Sequence, residues 1–194
     1  MFVLDSRPTT VTVTVTAPTS GVDSTSETTG NPSSSGKTSS DRLGEIGNPY
    51  TNGGITLTVT KASSPGTYPR NSTSYQKNSG YDEYEDVGPR SGGKFIRIDT
   101  IVKNETKHSI DLTCGLPVIT KVVDASENMY EPVDDLEDIQ GTPECNEDLN
   151  PGFASKMTWV FEVPRESQVL VFVFADYDLD YNDRGKYIRL DPPL

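Results

Sequence analysis

Ile55-Thr56-Leu57-Thr58-Val59-Thr60 alternates without a break. Ile55, Leu57 and Val59 share one face and the threonines share the other. Successive side chains of a strand point to opposite sides of the sheet, so this period of two predicts a half-buried strand. The same period returns in Lys94–Lys103, with Ile96, Ile98, Thr100 and Val102 on one face. It returns again in Lys156–Val163, where Met157, Trp159, Phe161 and Val163 are in phase. Ile110–Cys114, Val118–Asp124, a weaker Met129–Val133, Val169–Ala175 and Lys186–Leu190 complete a set of seven or eight short strands. Val169-Leu170-Val171-Phe172-Val173-Phe174 is apolar on both faces, which predicts a central strand covered on both sides or close to another covering element.

No segment holds a 3.6-residue period over twelve residues, and Val133–Ile139 has room for one helical turn at most. Short alternating strands without intervening helices predict an all-β fold, an antiparallel sandwich or barrel. Between the strands run polar loops. Asn48-Pro49-Tyr50-Thr51-Asn52-Gly53-Gly54 reads as a turn cluster, and residues 63–92 as a long loop with an edge strand near Tyr81–Val87.

Outside the strands the composition shifts. The chain has 194 residues and 21.2 kDa, with a formal charge of -12 and 32% apolar residues. No stretch reaches the eighteen or so apolar residues of a spanning helix, and the charge excludes nucleic-acid binding through bulk positive potential. From Thr16 to Ser40, fourteen of twenty-five residues are Ser or Thr. Such a segment buries too little surface to offset the entropy of ordering it. Thr9–Thr16 alternates valine and threonine, but a flexible tract follows it and no complementary strand lies nearby. The expected organisation is a disordered tether over residues 1–50 and a sandwich domain over 51–194.

Met1–Arg7 has no basic leader and no long apolar run. Two explanations suit a Ser/Thr tether: an ectodomain whose signal or anchor lies elsewhere, or a cytosolic protein with a disordered head. The cysteines favour the first. Cys145 stands in the acidic, proline-bearing stretch Gly141-Thr142-Pro143-Glu144-Cys145-Asn146, a poor place for a core thiol. Two buried thiols remain the alternative. A Cys114–Cys145 bridge would close a loop of about thirty residues and stabilise by roughly 3–4 kcal/mol in the chain-entropy treatment. It would also place the protein in an oxidising compartment, extracellular or at the cell surface.

Several signals fall in order: Gly54-Ile55-Thr56-Leu57-Thr58-Val59, Phe95-Ile96-Arg97-Ile98-Asp99-Thr100-Ile101-Val102-Lys103-Asn104, Leu149-Asn150-Pro151-Gly152, Trp159-Val160-Phe161-Glu162-Val163-Pro164 and Leu170-Val171-Phe172. Together they resemble the immunoglobulin-like sandwich of the mycobacterial immunoprotective extracellular antigen. They resemble more closely the related domain of unknown function, family 4352, of secreted proteins and lipoproteins in Gram-positive bacteria. The resemblance covers roughly residues 50–192. It implies an immunoglobulin-like β-sandwich behind a Ser/Thr linker, tied to the membrane only through an upstream anchor, and it carries no catalytic residues. Residues 1–50 contain no lipobox cysteine.

Candidate chemistry is sparse. His108 is the only histidine, stands in the turn-like Lys107-His108-Ser109, and has no Gly-x-Ser-x-Gly to serve. With two cysteines it makes a weak zinc set. The carboxylates are more distinctive. Asp82-Glu83-Tyr84-Glu85-Asp86 holds four in five residues, and Asp124 to Asp148 holds ten acids with no Lys or Arg. Asp176, Asp178, Asp180 and Asp183 alternate acid and spacer, as calcium ligands can, although position six of an EF-hand loop would be Asp183 and position twelve Arg189. A solvated acidic surface is the plainer reading. Tyr68, Tyr75, Tyr81 and Tyr84 sit in a polar loop whose composition suits either surface recognition or an ordinary mobile loop. Asn71-Ser72-Thr73 and Asn104-Glu105-Thr106 match the glycosylation sequon. The leading expectation is a non-enzymatic extracellular interaction or structural domain without a cofactor, its partner an unidentified protein or cell-envelope component. A calcium-binding adhesion or sensor module is the alternative, and a hydrolase is third.

Overall fold

A computed structural model of the chain describes residues 43–73, 79–115, 117–176 and 185–194. The tracts Thr9–Thr16 and Thr16–Ser40 lie outside them. Two four-stranded antiparallel sheets form the body. The first runs β1 (Pro49–Asn52), β2 (Ile55–Ser63), β5 (Gly93–Asn104) and β10 (Ala154–Pro164) in that order. The second runs β12 (Lys186–Arg189), β11 (Val169–Asp176), β7 (Val118–Asp124) and β8 (Met129–Tyr130). Two short ribbons pair β3 (Tyr68–Asn71) with β4 (Tyr84–Val87) and β6 (Ile110–Asp111) with β9 (Asp148–Leu149). This is the expected all-β antiparallel sandwich. Among the described residues no helix is long and apolar enough to cross a membrane.

The alternation explains the body. Ile55, Leu57 and Val59 of β2 and Ile96, Ile98 and Val102 of β5 are buried, as are Phe172 and Phe174 of β11. They form one core with Met157, Trp159, Phe161 and Val163 of β10. Phe161 and Phe172 meet edge to face across the two sheets, with ring centroids 6.3 Å apart, a favoured aromatic geometry. The Trp159 indole N–H donates to Thr100 Oγ1 (3.1 Å), which donates to the Met157 carbonyl (3.0 Å), so the buried indole keeps a partner.

Local side-chain chemistry accounts for most departures from expectation. The turn cluster 48–54 holds β1, an edge strand closed by the two-residue turn Gly53-Gly54, with Gly53 at φ 59°. Pro49 stands first in that strand, where it withholds no ladder bond that matters. Residues just before 51 pack on the second sheet: Gly44 N–H donates to the Tyr187 carbonyl and Arg189 N–H to the Gly44 carbonyl, both at 2.8 Å. The strand expected over Ile110–Cys114 ends at Asp111, whose carboxylate takes the N–H groups of Thr113 and Cys114 and bends the chain. β11 is central in its sheet, but Leu170, Val171 and Val173 on its outer side are only half-buried. β10 is the strand buried on both sides, from Met157 to Phe161.

Asn104 ends β5 and is fully buried. Its amide nitrogen donates to the carbonyls of His108 and Leu149, both at 2.8 Å. Its Oδ1 accepts from Thr106 N–H (2.9 Å) and Thr106 Oγ1 (2.6 Å). All four side-chain hydrogen-bonding positions of the amide are thereby used. Asn71 uses its Oδ1 the same way on Thr73. Both sequon asparagines are therefore buried strand-ending residues rather than exposed acceptors. Asp124 closes the β7–β8 hairpin by the same device. Its carboxylate accepts Ser126 and Asn128 N–H, the Asn128 amide and the Tyr130 hydroxyl at 2.9–3.0 Å.

Replacing Asn104 with Ala should cost about 2–4 kcal/mol, because two buried carbonyls and Thr106 lose their partners. Asn104→Asp should cost more, since a carboxylate would face the same carbonyls. Urea unfolding of the three proteins measures both. The Asn128 amide leads the donors that hold the Asp124 carboxyl far below the usual carboxylate range, against a smaller opposing effect of burial. A depressed pKa contributes stability above the unfolded value, near 4, that is lost as pH falls toward the folded one. Asp124→Asn should therefore lower Tm by a constant amount from pH 7 to about pH 5, and the gap to the parent should narrow below about pH 4. A gap that does not change on acidification would contradict the ionised role of Asp124.

Candidate functional site

The residues between β8 and β9 begin as a strip along the free edge of β10. Val133 N–H donates to the Val160 carbonyl (2.8 Å), and Pro132 bridges Phe161. The chain then turns through a single 3-10 turn, Leu136–Asp138, and sends Leu136 and Ile139 into the core. Thr142 Oγ1 lies 2.8 Å from the carbonyls of both Leu136 and Ile139, which closes the turn. Gln140 N–H donates to the Pro69 carbonyl (3.1 Å), and Ile139 bridges Arg70. The apolar residues of this acidic loop therefore point inward, and its carboxylates face out on a fixed backbone.

Because the loop leans on β3, it lies beside β4, which carries the other acidic stretch. Arg70 joins the two. Its guanidinium sits 3.0 Å from Glu85 across the ribbon and 3.6 Å from Asp135 in the loop. Tyr84 stands between the two stretches. Burial first, then a hydrogen bond to Asp82 and the fields of Asp82, Glu144 and Asp138, push its phenol above the ordinary value. Glu83, Glu85, Asp86, Asp134 and Asp135 are exposed around this seam, and Glu137, Asp138 and Glu144 are half-buried. Two runs fifty residues apart in the chain thus form one acidic face.

The far end of the loop is clasped. Cys114 and Cys145 form a disulfide, with Cα atoms 5.3 Å apart, and both residues are exposed. Asp111 reinforces the junction. Its Oδ1 accepts Thr113 N–H, Thr113 Oγ1 and Cys114 N–H, and its Oδ2 accepts Asn146 N–H at 2.7 Å from the other side of the bridge. Burial raises the Asp111 carboxyl, but these four bonds outweigh it and hold the group below its ordinary value. Asn146 takes a left-handed backbone, φ 64°, to aim that N–H. Asparagine tolerates the conformation better than most residues.

Other sequence candidates land elsewhere. Asp176 ends β11 opposite Val118, while Asp178, Asp180 and Asp183 lie outside the described residues. Tyr68 is a core residue, edge to face with Phe95 at 4.9 Å, not a recognition residue. Tyr81 is exposed, Tyr84 is half-buried and Tyr75 lies outside the described residues. His108 is exposed in a bend, and its carbonyl serves Asn104. Sequence reasoning missed Asp111 and Arg70. For Asp111 the Asp-x-Thr spacing, shared with the Asn-x-Thr strand ends, was the available signal.

No family model matches the chain, and no curated protein matches it. Solved structures do. The chain is similar to an uncharacterised β-sandwich protein of Clostridium difficile, with 12% identity and a TM-score of 0.50 over 76% of this chain and 94% of that one. It also matches a conserved hypothetical protein of Bacillus anthracis, at 15% identity and a TM-score of 0.48 over 74% and 94%. A third match is MPT63, a secreted protein of Mycobacterium tuberculosis, at 11% identity and a TM-score of 0.41 over 76% and 96%. At these identities the likeness concerns the fold alone, and the last two scores carry no argument. By its own topology and by the first of these neighbours, the domain is a β-sandwich.

Proposed function

We propose that this chain is a non-catalytic extracellular interaction domain of a secreted or surface-anchored Gram-positive protein, and that it meets its partner through the acidic face. One observation carries the reading. The acidic loop is pinned to the core through Leu136 and Ile139, cross-linked at Cys145, and joined through Arg70 to the acidic run on β4. A merely solvated loop has no need of these restraints. Fixing the carboxylates before binding removes the entropy cost of ordering them on contact. The partner is a cationic surface, a basic protein or a positively charged cell-envelope component, which the field of a -12 chain attracts from a distance. An exposed cross-link supports an oxidising compartment, because cytosolic thiol pools keep such pairs reduced.

Two measurements test the two halves of this proposal. Protein recovered from the natural host's medium or cell surface, denatured without reductant, should resist a thiol-alkylating mass tag until it is reduced. Tagging before reduction would contradict the extracellular assignment. For the partner, Glu83→Gln, Asp134→Asn, Glu137→Gln and Asp138→Asn are combined in one variant. Its binding to envelope fractions should fall at least ~10-fold, with a shallower salt dependence and a Tm within a few degrees of the parent. Unchanged binding would overturn the acidic face as the contact surface.

A further inference from the structure

Asp111, Cys114 and Cys145 place one carboxylate oxygen and two sulfurs within 4.8 Å of one another. While the sulfurs are joined, the trio is a clasp. We infer that reduction of this disulfide turns the same three residues into a binding site for zinc or a similar borderline-soft divalent cation.

Loss of the S–S bond leaves other links between the two loops in place. Three other contacts span the same junction. Asn146 N–H reaches Asp111 Oδ2 (2.7 Å), and Thr113 Oγ1 lies 3.2 Å from the Glu144 carbonyl, to which its one proton can turn in place of Asp111 Oδ1. The β6–β9 ladder pairs Asp111 with Asp148 directly behind them. Asp111 also holds the Cys114 N–H at 2.9 Å, so one carboxylate grips the backbone on both sides of the bridge. The two thiols therefore remain neighbours after reduction.

The donor set selects the cation. Two thiolates and a carboxylate suit zinc and its congeners, whereas calcium and magnesium require oxygen ligands. Two sulfurs on one tetrahedral zinc stand about 3.8 Å apart, given bonds near 2.3 Å. Rotation of two side chains on Cα atoms 5.3 Å apart covers that opening without moving the backbone. Among the described residues Oδ1 takes the N–H groups of Thr113 and Cys114, whereas Oδ2 accepts one hydrogen bond and keeps a lone pair for the metal. Three protein ligands leave a fourth position for water. Both cysteines are exposed, so reductant and cation reach them from solvent, and the neighbouring acidic face concentrates cations.

The chemistry balances with an external dithiol as reductant. Its two sulfurs join in a new disulfide, the Cys114–Cys145 bond breaks, and its two hydrogens pass to the cysteine sulfurs. Zinc then displaces both thiol protons to solvent as the two metal–sulfur bonds form. The site is closed under oxidising conditions and opens when the chain meets a reductant.

Cobalt serves as the probe because thiolate ligation gives it a near-ultraviolet charge-transfer band. The full chain is reduced with dithiothreitol, desalted without air and titrated with Co2+. One Co2+ per chain should bind with that band, Zn2+ should erase it, and the oxidised chain should show none. Cys114→Ser and Cys145→Ser should each abolish two-thiolate binding. Asp111→Asn keeps an oxygen acceptor for the loop, and it should weaken binding by ~10-fold or more. Zinc should also raise the Tm of the reduced parent and leave the oxidised parent unmoved, a readout that needs no variant. Absence of the band in the reduced chain overturns the site. An unchanged affinity in an Asp111→Asn protein that melts like its parent when oxidised removes the carboxylate from it.

Discussion

The fully buried amide of Asn104 is the point on which the lower end of the molecule depends. β5 is an inner strand of its sheet, and it stops where Asn104 turns its side chain back onto the chain that follows. In doing so it holds His108, late in the 105–109 turn, and Leu149 at the end of β9 through their carbonyls. Its backbone carbonyl takes the Gly152 N–H, and its own N–H reaches the Phe153 carbonyl. One residue thus sets the distance between β5, the β6–β9 ribbon and the entry to β10. The ribbon in turn fixes Asp111 and the disulfide beside it. Without the amide, the clasp would have no firm base.

The same device recurs at three other strand ends. Asn71, Asn104, Asp111 and Asp124 each accept the N–H two residues on, and the first three also bind the Thr hydroxyl there. A short acceptor side chain competes with the ladder for the next backbone donors and wins at the strand's end. In sequence this looks like a glycosylation signal in two places and like loose acidity in the other two. The pattern is one of turn chemistry in all four.

The strands that alternate cleanly, β2, β5, β7, β10, β11 and β12, were legible because burial on one face imposes a period of two. β1, β3 and β9 were not. They are short, polar and held by neighbours, and a proline leads or sits within two of them. The inward side of β11 was read correctly, but its outer valines reflect the preference of β-branched residues for pleated backbone rather than a covering layer. The acid runs of the candidate site were plain in the sequence. Their union was not, because it depends on Leu136 and Ile139 docking an acidic loop against β3, a contact between segments seventy residues apart.

Gly44 and Leu194 both lie against the second sheet. Gly44 exchanges hydrogen bonds with β12, while Leu194 exchanges two with Val169 of β11. Tension drawn through both ends would bear first on that one edge of the second sheet and would bypass the acidic face.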